Sequence, residues 1–137
     1  RRNIHIWMGE CHVHAGIEPG QVETIQQQHP QAEMLVHPEC GCSTSSMYLL
    51  SSGVLPQSRT HLLSTSGMIT HAQKSPASEF IVATEIGILH RLEQQNPQKR
   101  FFAANPDAIC PYMKKITLPK VLASLKENRP VEVSEIV

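Results

Sequence analysis

Apolar runs of four to six residues recur along the chain, separated by longer stretches with polar or helical spacing. The candidate strands are Ile4–Trp7, Ala32–Val36, Thr60–Leu63, Phe80–Thr84, Phe101–Ala103 and Val131–Val133. Most are continuous rather than alternating, as in Phe80-Ile81-Val82-Ala83. Strands covered on both faces read this way, and such strands belong to parallel sheets. Between them the pattern predicts helices over Gly20–His29, Ser66–Lys74 and Glu85–Gln95, each closing just before a proline,. Met47–Ser52 predicts a turn or two of helix. A last helix follows Thr117, a residue that can cap it, and carries Pro119 in its first turn,. Leu118, Val121, Leu122 and Leu125 repeat on one of its faces,. Strand-helix alternation of this kind predicts an α/β fold, a three-layer sandwich around a mainly parallel sheet. From Asn105 to Ile116 the alternation lapses into a loop with proline and cysteine. A soft boundary is therefore expected there, with an α/β domain over 1–105 and a loop plus returning helix and strand over 106–137.

Bulk composition narrows the function classes. A chain of 137 residues can bury a real core,. Twelve basic and twelve acidic residues balance, and no Lys/Arg stripe is present, so the electrostatic footprint of a nucleic-acid binder is missing,. No apolar run approaches bilayer length, and the opening residues carry no signal-peptide pattern,. A cytoplasmic protein without membrane partners is expected. In that setting the four cysteines point to metal binding or chemistry rather than to a disulfide scaffold,. The chain starts at Arg1 and enters a strand within three residues, which reads as part of something longer.

The candidate chemistry sits at strand exits, where open parallel sheets bind ligands. Cys11-His12-Val13-His14 brings thiol and imidazole to the first turn after a strand, although a buried cysteine with an ordinary loop histidine is about as common,. Cys40 and Cys42 with Cys11 and His14 would complete a tetrahedral zinc set, at a tighter spacing than usual,. Cys110-Pro111 has the flavour of an iron–sulfur loop,. In His37-Pro38-Glu39 the proline stiffens a carboxylate and an imidazole that can act as acid and base or clamp a polar substrate. A plain polar turn is the alternative. Ser64-Thr65-Ser66-Gly67 before a helix can take a phosphate or carboxylate, or serve simply as an N-cap. Glu85 exits the next strand in the same way.

Taken in order, Gly9-Glu10-Cys11-His12-Val13-His14, Leu35-Val36-His37-Pro38-Glu39-Cys40, Ser64-Thr65-Ser66-Gly67, Val82-Ala83-Thr84-Glu85-Ile86-Gly87-Ile88 and Cys110-Pro111-Tyr112-Met113-Lys114-Lys115-Ile116-Thr117-Leu118 resemble the C-terminal part of quinolinate synthases. The resemblance covers nearly the whole chain. It implies one of three similar α/β domains around a central cleft, with a [4Fe–4S] cluster held by three cysteines. Cys11 and Cys110 match two of these, and the third lies upstream, outside this chain. It also implies the condensation of iminoaspartate with dihydroxyacetone phosphate in NAD biosynthesis, with L-aspartate oxidase as the upstream supplier. His37 and Glu39 match substrate contacts and are the expected catalytic pair. Ser64 and Thr65 match binders of phosphate or carboxylate, and His14 matches a substrate-side residue near the cluster. Leu63 departs from the family, which carries glycine before the Ser-Thr pair, and the stretch from Glu39 to Ser64 is long. The resemblance further implies that activity belongs to the longer enzyme. Two other readings stay open: a non-catalytic zinc module built on Cys11, His14, Cys40 and Cys42, and a metal-free flavodoxin-like binding domain.

Overall fold

The computed structural model describes residues 3, 9, 11–39, 51, 53 and 57–128. The expected strands Ile4–Trp7 and Val131–Val133, Cys40 and Cys42, and all but Ser51 of Met47–Ser52 lie outside the described residues. Elements run in the order α1 (His12–Ala15), α2 (Pro19–Gln28), β1 (Glu33–Val36), β2 (Thr60–Leu62), α3 (Thr65–Lys74), β3 (Glu79–Ala83), α4 (Gly87–Gln95), β4 (Arg100–Ala103) and α5 (Leu118–Glu127). Short 3-10 turns at Gln57–Arg59 and Met113–Lys115 fall between them.

The four strands form one sheet in the order β2-β1-β3-β4, with every pairing parallel. Continuous apolar strands are what such a sheet requires, because successive residues point to opposite faces and both faces are covered. Met34, Val36, Ile81 and Ala83 pack against Val13, Ile17 and Val22 from α1, the turn after it and α2. Leu35, Phe80, Val82 and Phe101 pack against Met68 and Ala72 of α3 and Leu92 of α4. The result is the expected three-layer α/β sandwich. Phe80, Ile17, Met34, Leu35, Met68, Ile81 and Leu92 are fully buried, and each such side chain contributes about 1.5–3 kcal/mol relative to exposure.

Helix ends follow local chemistry. Glu18 and Gln21 form a reciprocal capping box at the start of α2, with Pro19 in its first turn,. Ser64 caps α3 by accepting from the Gly67 N–H at 3.2 Å. Lys99 closes the far end of α3 by donating to the carbonyls of Ala72 and Ser75, where a cation also suits the helix dipole. The last helix, α5, forms where expected, but Thr117 makes no side-chain cap bond and no residue of α5 is buried. Its apolar stripe faces outward, with Leu118 84% and Leu125 79% exposed. No helix among the described residues is long and apolar enough to cross a membrane.

Candidate active site

In this strand order the connection from β1 runs to one side of the sheet and the next crossover returns to the other. The topological switch point therefore lies between β1 and β3, and ligands bind outside the carboxyl ends of such strands,. The ladder continues past both strand ends. His37 N–H donates to the Ala83 carbonyl and Leu63 N–H donates to the Val36 carbonyl. His37 and the start of α3 are thus held to the sheet rather than left to a loose loop.

A cavity of about 470 Å³ opens at this point, lined by Cys11, His14, His37, Thr65, Cys110 and Lys114 among others. Cys11 stands at the N-cap position of α1, and His14 lies one turn later on the same side,. The His14 ring stacks on His37 with centroids 4.5 Å apart and planes within 11°. His14 Nε2 lies 2.9 Å from Thr84 Oγ1, across 70 residues of sequence. Its Nδ1 lies 3.8 Å from the Glu39 carboxylate. Burial, and then the charge of His37, lower the His14 pKa against the opposing pull of Glu39. Glu39 N–H donates to His37 Nδ1 at 3.3 Å. In the neutral His37 ring that bond leaves the proton on Nε2.

The floor of the cavity is an acid–base anchor that the sequence pattern left half-described. Glu85, buried at the exit of β3, accepts from the Gly87 N–H at 2.8 Å and the Cys110 N–H at 3.4 Å. Lys114 Nζ lies 3.1 Å from the same carboxylate. Burial alone would raise the Glu85 carboxyl, but hydrogen bonds from Lys114, Gly87 and Cys110 and the Lys114 charge hold it below the ordinary value. A Cβ at Gly87 would sit 2.6 Å from Glu85 Oε2 and 3.2 Å from Lys114 Nζ, so a side chain there would push the ends of Glu85 and Lys114 aside. Through Glu85 the Cys110 loop is pinned to β3 and α4. Cys11 and Cys110 are both free thiols, partly buried, and packed on the edge of the apolar cluster beneath α1 and α2.

The structure brings Cys11, His14, His37, Thr65 and Cys110 to one cavity. Glu39 stands at its rim, near His14 but 71% exposed. Ser64 does not line it, because its hydroxyl is engaged as the N-cap of α3. Thr84, Arg91 and Lys114 also line the cavity and were not singled out from sequence. The position of Thr84 directly before Glu85 at a strand exit was the signal available for it. For Arg91 and Lys114, an ordinary helix face and a basic doublet conceal the role.

A parallel sheet with thiols, imidazoles and a helix start converging on its switch point defines an α/β domain of the ligand-binding, enzyme-bearing kind. Comparison with known proteins makes this specific: the chain belongs to the quinolinate synthetase A protein family, whose model matches residues 1–137. It is 50% identical over 130 residues to the quinolinate synthase of Thermus thermophilus, covering 95% of this chain and 40% of that protein. It is 47% identical over 128 residues to the quinolinate synthase of Mycobacterium tuberculosis, covering 93% of this chain and 37% of that protein. The chain thus spans about 40% of the length of the curated relatives it matches.

Proposed function

We propose that this chain is the part of a quinolinate synthase that carries two ligands of a [4Fe–4S] cluster and one wall of the substrate site. The enzyme would condense iminoaspartate with dihydroxyacetone phosphate, releasing phosphate and water, to give quinolinate for NAD biosynthesis. The convergence of Cys11 and Cys110 on a cavity shared with His14, His37 and Thr65 carries this reading. The residues present suit the cluster. Two free, partly buried thiols sit on an apolar shoulder, and the Cys110 backbone is anchored by Glu85,. The third cysteine would come from outside this chain. When bound, a cluster with only three protein ligands supplies an iron that can act as a Lewis acid.

The chain's own residues do the rest. Substrates with two carboxylates and a phosphate need fixed positive potential, and Arg91 and the start of α3 at Thr65 offer it around the cavity, whereas the charge of Lys114 is engaged by Glu85,. His37, its Nδ1 occupied by the Glu39 N–H, presents an Nε2–H donor suited to a carboxylate,. Glu39 repels carboxylates and is better placed to move protons during enolisation and dehydration, within reach of His14,. The outward apolar stripe of α5 suits docking of the enzyme's further domains,. L-aspartate oxidase would supply the iminoaspartate.

Anaerobic reconstitution of the enzyme with iron and sulfide tests the assignment. The [4Fe–4S] absorbance band should vanish in Cys11→Ala and in Cys110→Ala and survive Cys42→Ala. Stoichiometric zinc that is lost on changing Cys40 or Cys42 would replace this reading with a zinc module.

A further inference from the structure

A second group of metal-capable side chains lies at the opposite end of the sheet, away from the cavity. Glu33 opens β1, and His61 on β2 pairs across the ladder with Leu35. Glu33 and Leu35 share a face, so Glu33 and His61 both project toward the α3 layer. There they meet His71 from the last turn of α3. His71 Nε2 lies 2.6 Å from Glu33 Oε2, and His61 Nε2 lies 3.6 Å from the same oxygen. The two rings are 4.1 Å apart at their centroids. One ligand atom from each of the three residues lies within 4.8 Å of the others. Ser75 Oγ–H donates to the other carboxylate oxygen, Oε1, at 2.9 Å, which turns Oε2 toward both imidazoles. His61 Nε2 is buried without a hydrogen bond, a costly state for a ring nitrogen.

We propose that Glu33, His61 and His71 bind a divalent cation of the zinc type, with Ser75 orienting the carboxylate from the outer shell. Two imidazoles and one carboxylate match zinc's preferred nitrogen and oxygen donors, and three protein ligands leave a fourth position for water. Ligands about 2.0–2.1 Å from a tetrahedral ion stand roughly 3.4 Å from one another. The 3.6 Å separation of His61 and Glu33 already fits. The 2.6 Å contact of His71 with Glu33 is a proton-bridged bond that the ion replaces, opening by less than about 1 Å,. The ion ties β2 to β1 and α3. It requires nothing of the cluster site.

Titration of the full chain with Co²⁺ alone, followed by Zn²⁺ alone, reads this site. One equivalent of Co²⁺ should give d–d bands without thiolate charge transfer, and Zn²⁺ should displace it. His71→Gln keeps a donor to Glu33 and His61→Gln keeps a polar side chain, and each should weaken binding by at least tenfold. Ser75→Ala leaves all three ligands in place and should weaken it by about 10–100-fold, the scale of outer-shell losses. His37→Gln should leave the bands unchanged. Absence of such bands in the unmodified chain overturns the proposal. So does a signal that survives His61→Gln, His71→Gln and Ser75→Ala but is lost in His37→Gln.

Discussion

Two groups of two histidines and one glutamate occupy opposite ends of the same parallel sheet. At the carboxyl end His14 and His37 stack nearly flat, and Glu39 approaches them from a rim where it is 71% exposed. At the amino end His61 and His71 meet at a 40° tilt over Glu33, which is 15% exposed and accepts a hydrogen bond from Ser75. Identical donor types thus carry different consequences. A carboxylate held by several partly buried partners is fixed in one orientation, which suits structure or a bound cation. A carboxylate at an open rim beside imidazoles can take and release protons.

The widest test of that contrast is activity. In the complete enzyme Glu39→Gln should lower kcat by about 10²-fold or more, the usual scale for losing an acid–base group. The same change should leave the urea unfolding free energy within about 0.5 kcal/mol, as expected of an exposed site. Intact kcat with a raised KM would make Glu39 a positioning residue instead.

Stability should respond at the other end. Glu33→Gln leaves His71 and Ser75 without their carboxylate, and hydrogen bonds to charged groups are worth about 1.5–3 kcal/mol,. Urea unfolding of the metal-free chain should show a loss of that size. A change no larger than that of Glu39→Gln would erase the distinction between the two ends.

The smallest effect is the pH dependence, and there the two ends should first behave alike. Burial lowers the pKa of both His14 and His61 from 6.5. Just below that value the unfolded chain takes up protons before the folded one, so stability is full above 6.5 and declines as pH falls toward the folded values,. Burial pushes Glu33 up, but hydrogen bonds from His71 and Ser75 and the charges of His71 and His61 outweigh it and hold the carboxyl below 4.5. Its contribution is present above 4.5 and is lost only as pH falls through that depressed value,. Measured with chelator present, His14→Gln and His61→Gln should each flatten the decline below 6.5, and Glu33→Gln should flatten the decline below 4.5. Unchanged slopes in the histidine variants would sink this account.

Much of the scaffold is legible in the sequence. Phe80 to Ala83 carries enough continuous apolar character to specify a strand buried on both faces, and β3 spans Glu79–Ala83. Pro19 and Ser64 mark real helix starts because capping is a local matter of a few backbone N–H groups,. Small shifts, such as α4 starting at Gly87 rather than Glu85, arise because Glu85 turns its carboxylate back onto the Gly87 N–H. The helical stripe of α5 is equally legible, yet periodicity cannot say what covers it. Among the described residues none of α5 is buried.

Sequence by itself determined strands β1 to β4 and helices α2 to α5, though not the short α1, together with the parallel pairing class of the sheet, because propensity, capping and apolar periodicity act over a few neighbouring residues. Only the tertiary structure decided which distant groups meet. His14 reaches Thr84, Glu85 anchors Cys110 and Lys114, and Glu33 gathers His61 and His71. Those contacts depend on strand order and register, where a shift of one residue would send each strand-borne side chain to the opposite face.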